Sequence, residues 1–275
     1  MLVTGRTDHA APTEFRVGDL LREARRQLRT TGDPIPPVGI LDPDGDLASY
    51  LLRTGRGRVS PSWACYHTRL IEAEVDGLQL GVVPCAVGAP FAVLVAEELI
   101  ASGARLVLSI TSAGQLDPTL VSPCFVVIDR ALRGDGTSHC YLPPAESVAA
   151  PTVLVDPAVA ALRRAGEPVV AGTTWTTDAP FRETATALWE ARARGAIAVE
   201  MEAAGLYAFA EAAGAPVLCL AQITNQLAQI DGDFEKGPES GAIDALRILT
   251  TVAATLALDL PHSADHVDPK GCQDA

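Results

Sequence analysis

Between residues 38 and 257 short, nearly unbroken apolar runs alternate with longer stretches of helical spacing, and clusters of glycine, proline and serine separate the two. Residues 38–41, 78–85, 105–111, 124–129, 168–172, 196–199 and 217–223 read as strands. Residues 91–102, about 157–165, about 183–194, 203–213 and about 240–257 read as helices. Strands that are apolar on both sides need cover on both faces, and intervening helices provide the crossovers that parallel neighbours require. The expected architecture is α/β: a single domain with a mostly parallel central sheet and helices on both faces, spanning residues 38–258. A 1–37 extension precedes it, with a basic surface helix over 20–29 stopped by the proline-rich Asp33-Pro34-Ile35-Pro36-Pro37. The tail, 259–275, is expected to be disordered.

A chain of 275 residues that is 48% hydrophobic can bury one large core. Its net charge of −13 argues against nucleic acid or an anionic membrane as partner, since both are gripped by clustered lysine and arginine. Small molecules are the expected ligands. The opening residues lack the regions of a signal peptide, and no apolar run reaches membrane-spanning length, so a cytoplasmic location is expected. The six cysteines form no Cys-x-x-Cys pair, and no metal or redox site is expected. Cys85, Cys124 and Cys219 lie in apolar runs and read as small buried hydrophobes. Glu97 and Glu98 are expected to face outward, and Tyr66 and His67 to share a strand with Cys65.

Ligands of such sheets bind beyond the carboxyl ends of the strands, where this chain keeps its unusual polar residues. Six clusters converge there: Gly88 to Pro90, Thr111 to Gly114, Arg133 with Asp135 to Ser138, Thr176 to Asp178 with Phe181 and Arg182, Glu200-Met201-Glu202, and Thr224 to Gln226. The pair Glu200 and Glu202 is the odd one, because two acids at the mouth of a buried strand are costly unless something hydrogen-bonds or pairs with them. Sugar hydroxyls are suited to that task, and Met201 offers a polarizable surface to a sugar or base. A helix start that favours acids is the alternative. Asn225 can cap the turn after its strand or face a ligand.

The order and spacing of four segments resemble the purine nucleoside and uridine phosphorylase superfamily over most of residues 38–257. These are Gly88-Ala89-Pro90 with the helix after it, Ile110-Thr111-Ser112-Ala113-Gly114, Ala131-Leu132-Arg133-Gly134-Asp135-Gly136-Thr137-Ser138, and Val199-Glu200-Met201-Glu202-Ala203-Ala204. The resemblance implies that Glu202 binds the ribose hydroxyls with Met201 and Ser112 beside the sugar, and that Phe181, Arg182, Gly114 and Asn225 surround the base. It implies a homodimer or higher homo-oligomer, with residues 60–69 near a subunit boundary, and no cofactor beyond inorganic phosphate as a co-substrate. Asn225 stands where many members carry a proton-donating aspartate. An amide offers a donor and an acceptor instead, which favours a uracil-like or 6-oxopurine base.

The acceptor side departs from the family. Ser109 replaces an arginine that would hold phosphate, and the amino-terminal phosphate loop reads Leu41-Asp42-Pro43-Asp44-Gly45-Asp46. Three aspartates repel a phosphate dianion. Either other groups hold phosphate, with Gly88, Ser109, Ser112, Arg133, Arg69 and His67 as the acceptor-side candidates, or water is the nucleophile. For hydrolysis, Glu200 or an aspartate of the 42–46 loop would be the base. The expected function is cleavage of an N-ribosidic bond by Glu202, Asn225 and Glu200, with a slight lean to water. A phosphate-dependent phosphorylase, a non-catalytic nucleoside binder and a ribosyl transferase with another acceptor are the alternatives.

Overall fold

The structure is a computed structural model that describes residues 8–227 and 232–257. The tail 259–275 lies outside the described residues. At the centre β1 (Val38–Asp42) runs parallel between β4 (Leu78–Pro84) and β5 (Leu106–Gln115). Beyond β4 the sheet continues antiparallel through β3 (Ile71–Val75) to β2 (Gly57–Val59). On the other side β5 pairs with β10 (Val217–Asn225), and β6 (Cys124–Gly134), β8 (Val169–Thr177) and β9 (Ala196–Glu200) follow in order. Then β9 returns to β5, so five strands close into a barrel from which the others project as a wing. The short β7 (Ser147–Ala149) adds to β6.

The α/β expectation stands, but the mostly parallel sheet does not: β10–β6, β5–β9, β6–β7, β3–β4 and β2–β3 are antiparallel. The reason lies in strands that outrun their apolar stretches. β8 continues through Thr173, Thr174, Thr176 and Thr177, whose branched side chains suit an extended backbone even though they are polar. Register shifts between Ile128 and Arg130 and between Thr173 and Thr174 mark the bulges that bend β6 and β8 around. At Gly172 a Cβ would lie 2.3 Å from Ile197 Cδ1, so the missing side chain lets Ile197 of the facing strand pack close to the backbone there.

β5 is the shared element. Its residues 106–109 pair with β1, and Gly114 and Gln115 pair with β9 on that same edge. Among the described residues no strand covers 110–113 between them. That gap in the ladder faces the loop after β1.

Helices α3 (Ala89–Ala101) and α7 (Ala203–Ala213) meet closely, because a Cβ on Gly205 would be 2.8 Å from that of Ala89. The extension forms α1 (Val17–Leu28), which buries Leu21 and Ala24 and packs on α3. α5 (Thr152–Arg164), with Pro157 inside it rather than at its start, pairs with α8 (Ala242–Leu256). α2 (Asp46–Arg53), α4 (Ser138–Tyr141) and α6 (Ala185–Ala193) complete the set, and α2, β2 and β3 were not anticipated. Three local expectations fail. Residues 65–67 lie in a loop, Cys85 is exposed, and Glu98 is buried on α3, where burial raises its pKa.

Tyr207 ties α7 to two barrel strands, its hydroxyl donating to Ile128 O at 2.6 Å and accepting from Cys219 N at 3.0 Å. Both backbone groups are buried, so Tyr207→Phe should lower unfolding free energy by about 1–3 kcal/mol, measured by denaturant melts.

Candidate active site

Glu200 ends β9 and Glu202 begins α7, and both side chains are almost fully buried, at 3% and 2% exposure. The two carboxylates live differently. Glu200 Oε1 accepts from Thr174 Oγ1 at 3.0 Å and Thr176 Oγ1 at 2.5 Å, while Oε2 accepts from the backbone N–H of Glu202 and of Ala203, both at 2.7 Å. Thr176 Oγ1 also accepts from Ala204 N at 2.9 Å. Burial raises the pKa of Glu200, and these four donors oppose the rise. Its lone pairs are spent on opening α7, which fits the helix-start alternative for this residue.

Glu202 Oε1 accepts from Gly88 N at 2.7 Å, joining the β4–α3 turn to the end of β9. Gly88 has φ of +83°, a backbone state that favours glycine. Oε2 is buried and has no hydrogen-bond partner among the described residues. Burial, and then the neighbouring charge of Glu200, push the carboxyl up to about 8, with Thr111 among the groups that oppose the shift. A carboxylate in such a position calls for donors from a ligand.

Across the β5 gap, Ser112 donates its N–H at 3.1 Å and its Oγ–H at 2.6 Å to Asp44 Oδ2. Asp42 caps α2 through Gly45 N and Ala48 N, and burial raises its pKa to about 6. Lys236, one of only two lysines in the chain, reaches Asp46 at 2.6 Å and Asp44 at 3.3 Å. Burial works against its charge, but the two carboxylates raise its pKa. Sequence reasoning missed Lys236, and the scarcity of lysine was the available signal.

Gly114 packs its bare backbone against Val199 and Leu227, and a Cβ there would lie 3.5 Å from Asn225 Oδ1. Asn225 Oδ1 accepts from Leu227 N at 2.8 Å, the turn-capping role its residue type allows, and Nδ2 donates to Thr224 Oγ1 at 3.1 Å. Met201 is half-buried. Gly88 and Thr111 thus contact Glu202, Ser112 contacts Asp44, and Gly114 lies beside Asn225, with Thr111, Ser112 and Gly114 all on β5.

Other candidates lie apart from these contacts. Arg133 donates to Ser138 Oγ, Pro143 O and Leu142 O and contacts His139 Nδ1 at 3.2 Å, so its guanidinium clamps the α4 loop. Ser109 sits inside the sheet between Leu41 and Cys219, buried, its Oγ without a partner among the described residues. Arg69 and His67 are exposed, as are Arg182 and Phe181, the last at 99%. Among the described residues no group of histidine, cysteine, aspartate and glutamate could hold a metal ion, and no helix is long and apolar enough to cross a membrane.

Residues 37–256 match the family model described as the Phosphorylase superfamily. A guanosine phosphorylase of Halorubrum lacusprofundi is 27% identical over 180 residues, covering 63% of this chain and 69% of that one. Among solved structures, purine nucleoside phosphorylase from Toxoplasma gondii in complex with immucillin-H superposes with a TM-score of 0.69 at 19% identity, over 84% of this chain and 94% of that one. The 5'-methylthioadenosine/S-adenosylhomocysteine nucleosidase from Neisseria meningitidis gives 0.66 at 19% identity, over 80% and 99%. Both likenesses concern the fold.

The raised pKa of Glu202 fixes a pH effect. Between its ordinary value of 4.5 and about 8 the native state holds a proton that the unfolded chain has released, so stability falls as pH rises through that window. Glu202→Gln should flatten the fall: thermal melts of variant and wild type agree near pH 4, and the variant melts higher near pH 9.

Proposed function

The chain belongs to the phosphorylase superfamily, and we propose that it cleaves the N-ribosidic bond of a nucleoside carrying a uracil-like or 6-oxopurine base, with water as acceptor. The observation that carries the proposal is the buried, unpartnered Oε2 of Glu202 beside an Oε1 fixed by Gly88 N–H. Two hydroxyls of a pentose supply the missing donors, and Met201 covers the sugar face. Bonds from those hydroxyls strengthen as positive charge grows on the ribosyl group, which is where a carboxylate lowers the barrier.

Asn225 ends β10 beside Gly114, and the Nδ2 hydrogen that is not given to Thr224 donates to an oxo group of the base. Glu200 acts as a positioning residue, since its bonds set the start of α7 and therefore the place of Glu202. On the opposite face Asp44 takes the proton of the attacking water as the C–N bonding pair leaves with the base. The base is reprotonated from solvent. Phe181, fully exposed in the single chain, suits coverage by a second copy in a homo-oligomer. In this reading residues 38–258 form a cytoplasmic catalytic domain that needs neither metal nor organic cofactor.

Phosphorolysis is the second reading, and the relative named guanosine phosphorylase favours it together with the 6-oxopurine base. Incubating the purified chain with uridine, inosine and guanosine, with and without inorganic phosphate, separates the two by the sugar product. Free ribose at a rate indifferent to phosphate is expected, and strict dependence on phosphate would overturn the choice of water. Glu202→Ala should lower kcat/KM by about 10²-fold or more.

A further inference from the structure

Three donors converge on a single oxygen at the β5 gap. Ser112 N–H, Ser112 Oγ–H and the Lys236 ammonium all point at Asp44 Oδ2, at 3.1, 2.6 and 3.3 Å. A backbone amide, a hydroxyl and a cation around one oxygen are the makings of an oxyanion site. Here the oxygen belongs to the chain itself. The amide is free to serve because no strand covers β5 at 110–113 among the described residues.

The cation is pinned from several sides. Asp46 holds Lys236 Nζ at 2.6 Å, the Phe234 ring lies 5.8 Å from it, and Gln222 Nε2 donates to the Lys236 carbonyl at 2.8 Å. Gly241 fixes the approach of that segment, since its φ is +81° and a Cβ would meet Lys236 O at 2.9 Å and Gln222 Oε1 at 2.8 Å. Lysine and seat come from segments far apart in sequence, held together by the fold.

We propose that Asp44 is a built-in occupant of an anion seat formed by Ser112 and Lys236, and that its carboxylate excludes inorganic phosphate from the acceptor side of the pocket. This deepens the choice of water above and rests on it for the placement of the acceptor. An occupied seat and a negative charge at its centre both act against a phosphate dianion. Removing the carboxylate leaves two neutral donors and an ammonium, a latent phosphate site that needs no arginine. The lysine supplies its positive charge while it stays paired with Asp46 at 2.6 Å.

Calorimetric titration with inorganic phosphate tests the seat without reference to turnover. The wild-type chain should show no saturable binding in the low millimolar range. Asp44→Ala should bind phosphate at least about tenfold more tightly, and adding Lys236→Met to it should abolish most of that gain. Asp44→Asn, which removes the charge but keeps an oxygen for Ser112, should fall between, and it is the variant to use if Asp44→Ala does not fold. Equal phosphate affinity in wild type and the folded variants would overturn the proposal, as would a gain untouched by Lys236→Met. A chain that cleaves no nucleoside yet shows this pattern of phosphate binding would sink the functional reading and leave the seat intact.

Discussion

A buried carboxylate with every lone pair answered is what the site stands on. Glu200 draws two threonine hydroxyls from β8 and two backbone amides from the start of α7 to one point, so strand, strand and helix meet at fixed distances. An ionised group at that depth costs several kcal/mol unless it is met by such donors. Its neighbour Glu202 inherits the position but not the bonds. One acid is saturated and the other is left half-served, and only the second is available to a ligand.

The sheet frames this arrangement. Closing β5, β10, β6, β8 and β9 into a barrel brings the end of β9, with β8 next to it, beside the carboxyl end of β5. An open parallel sheet of the same strands would set those ends along a rim. Closure depends on bulges and on glycines where walls touch, not on the apolar runs that announce the strands.

That division explains what the sequence could tell. Apolar runs located seven strands and the helix Ala203–Ala213, because burial on both faces leaves a plain compositional mark. The same rule failed on direction, since an antiparallel return through β9 uses the same residue types as a parallel crossover. Glu200 and Glu202 were legible as misplaced charge, yet their separate roles depend on Thr174, Thr176 and Gly88, which no local pattern connects. Arg133 stood among the acceptor-side candidates, and its guanidinium is consumed by the 138–143 loop, whose carbonyls are invisible in a sequence. Lys236 was overlooked because it lies 190 residues from Asp46, and nothing short of the fold brings them together.

The interruption of the β5 ladder separates two kinds of material. On one side Glu200 and Glu202 belong to a strand end and a helix start that are locked into the core. On the other, the loop bearing Asp44 and the segment bearing Lys236 meet the barrel through the amide and hydroxyl of Ser112 and the side chain of Gln222. Under the proposed function, substitutions in those loops would redirect which nucleophile enters while the grip on the sugar goes undisturbed, so the fold would carry a chassis and an exchangeable fitting. In such a design, diversification of chemistry is cheap in stability and confined to a few loop residues.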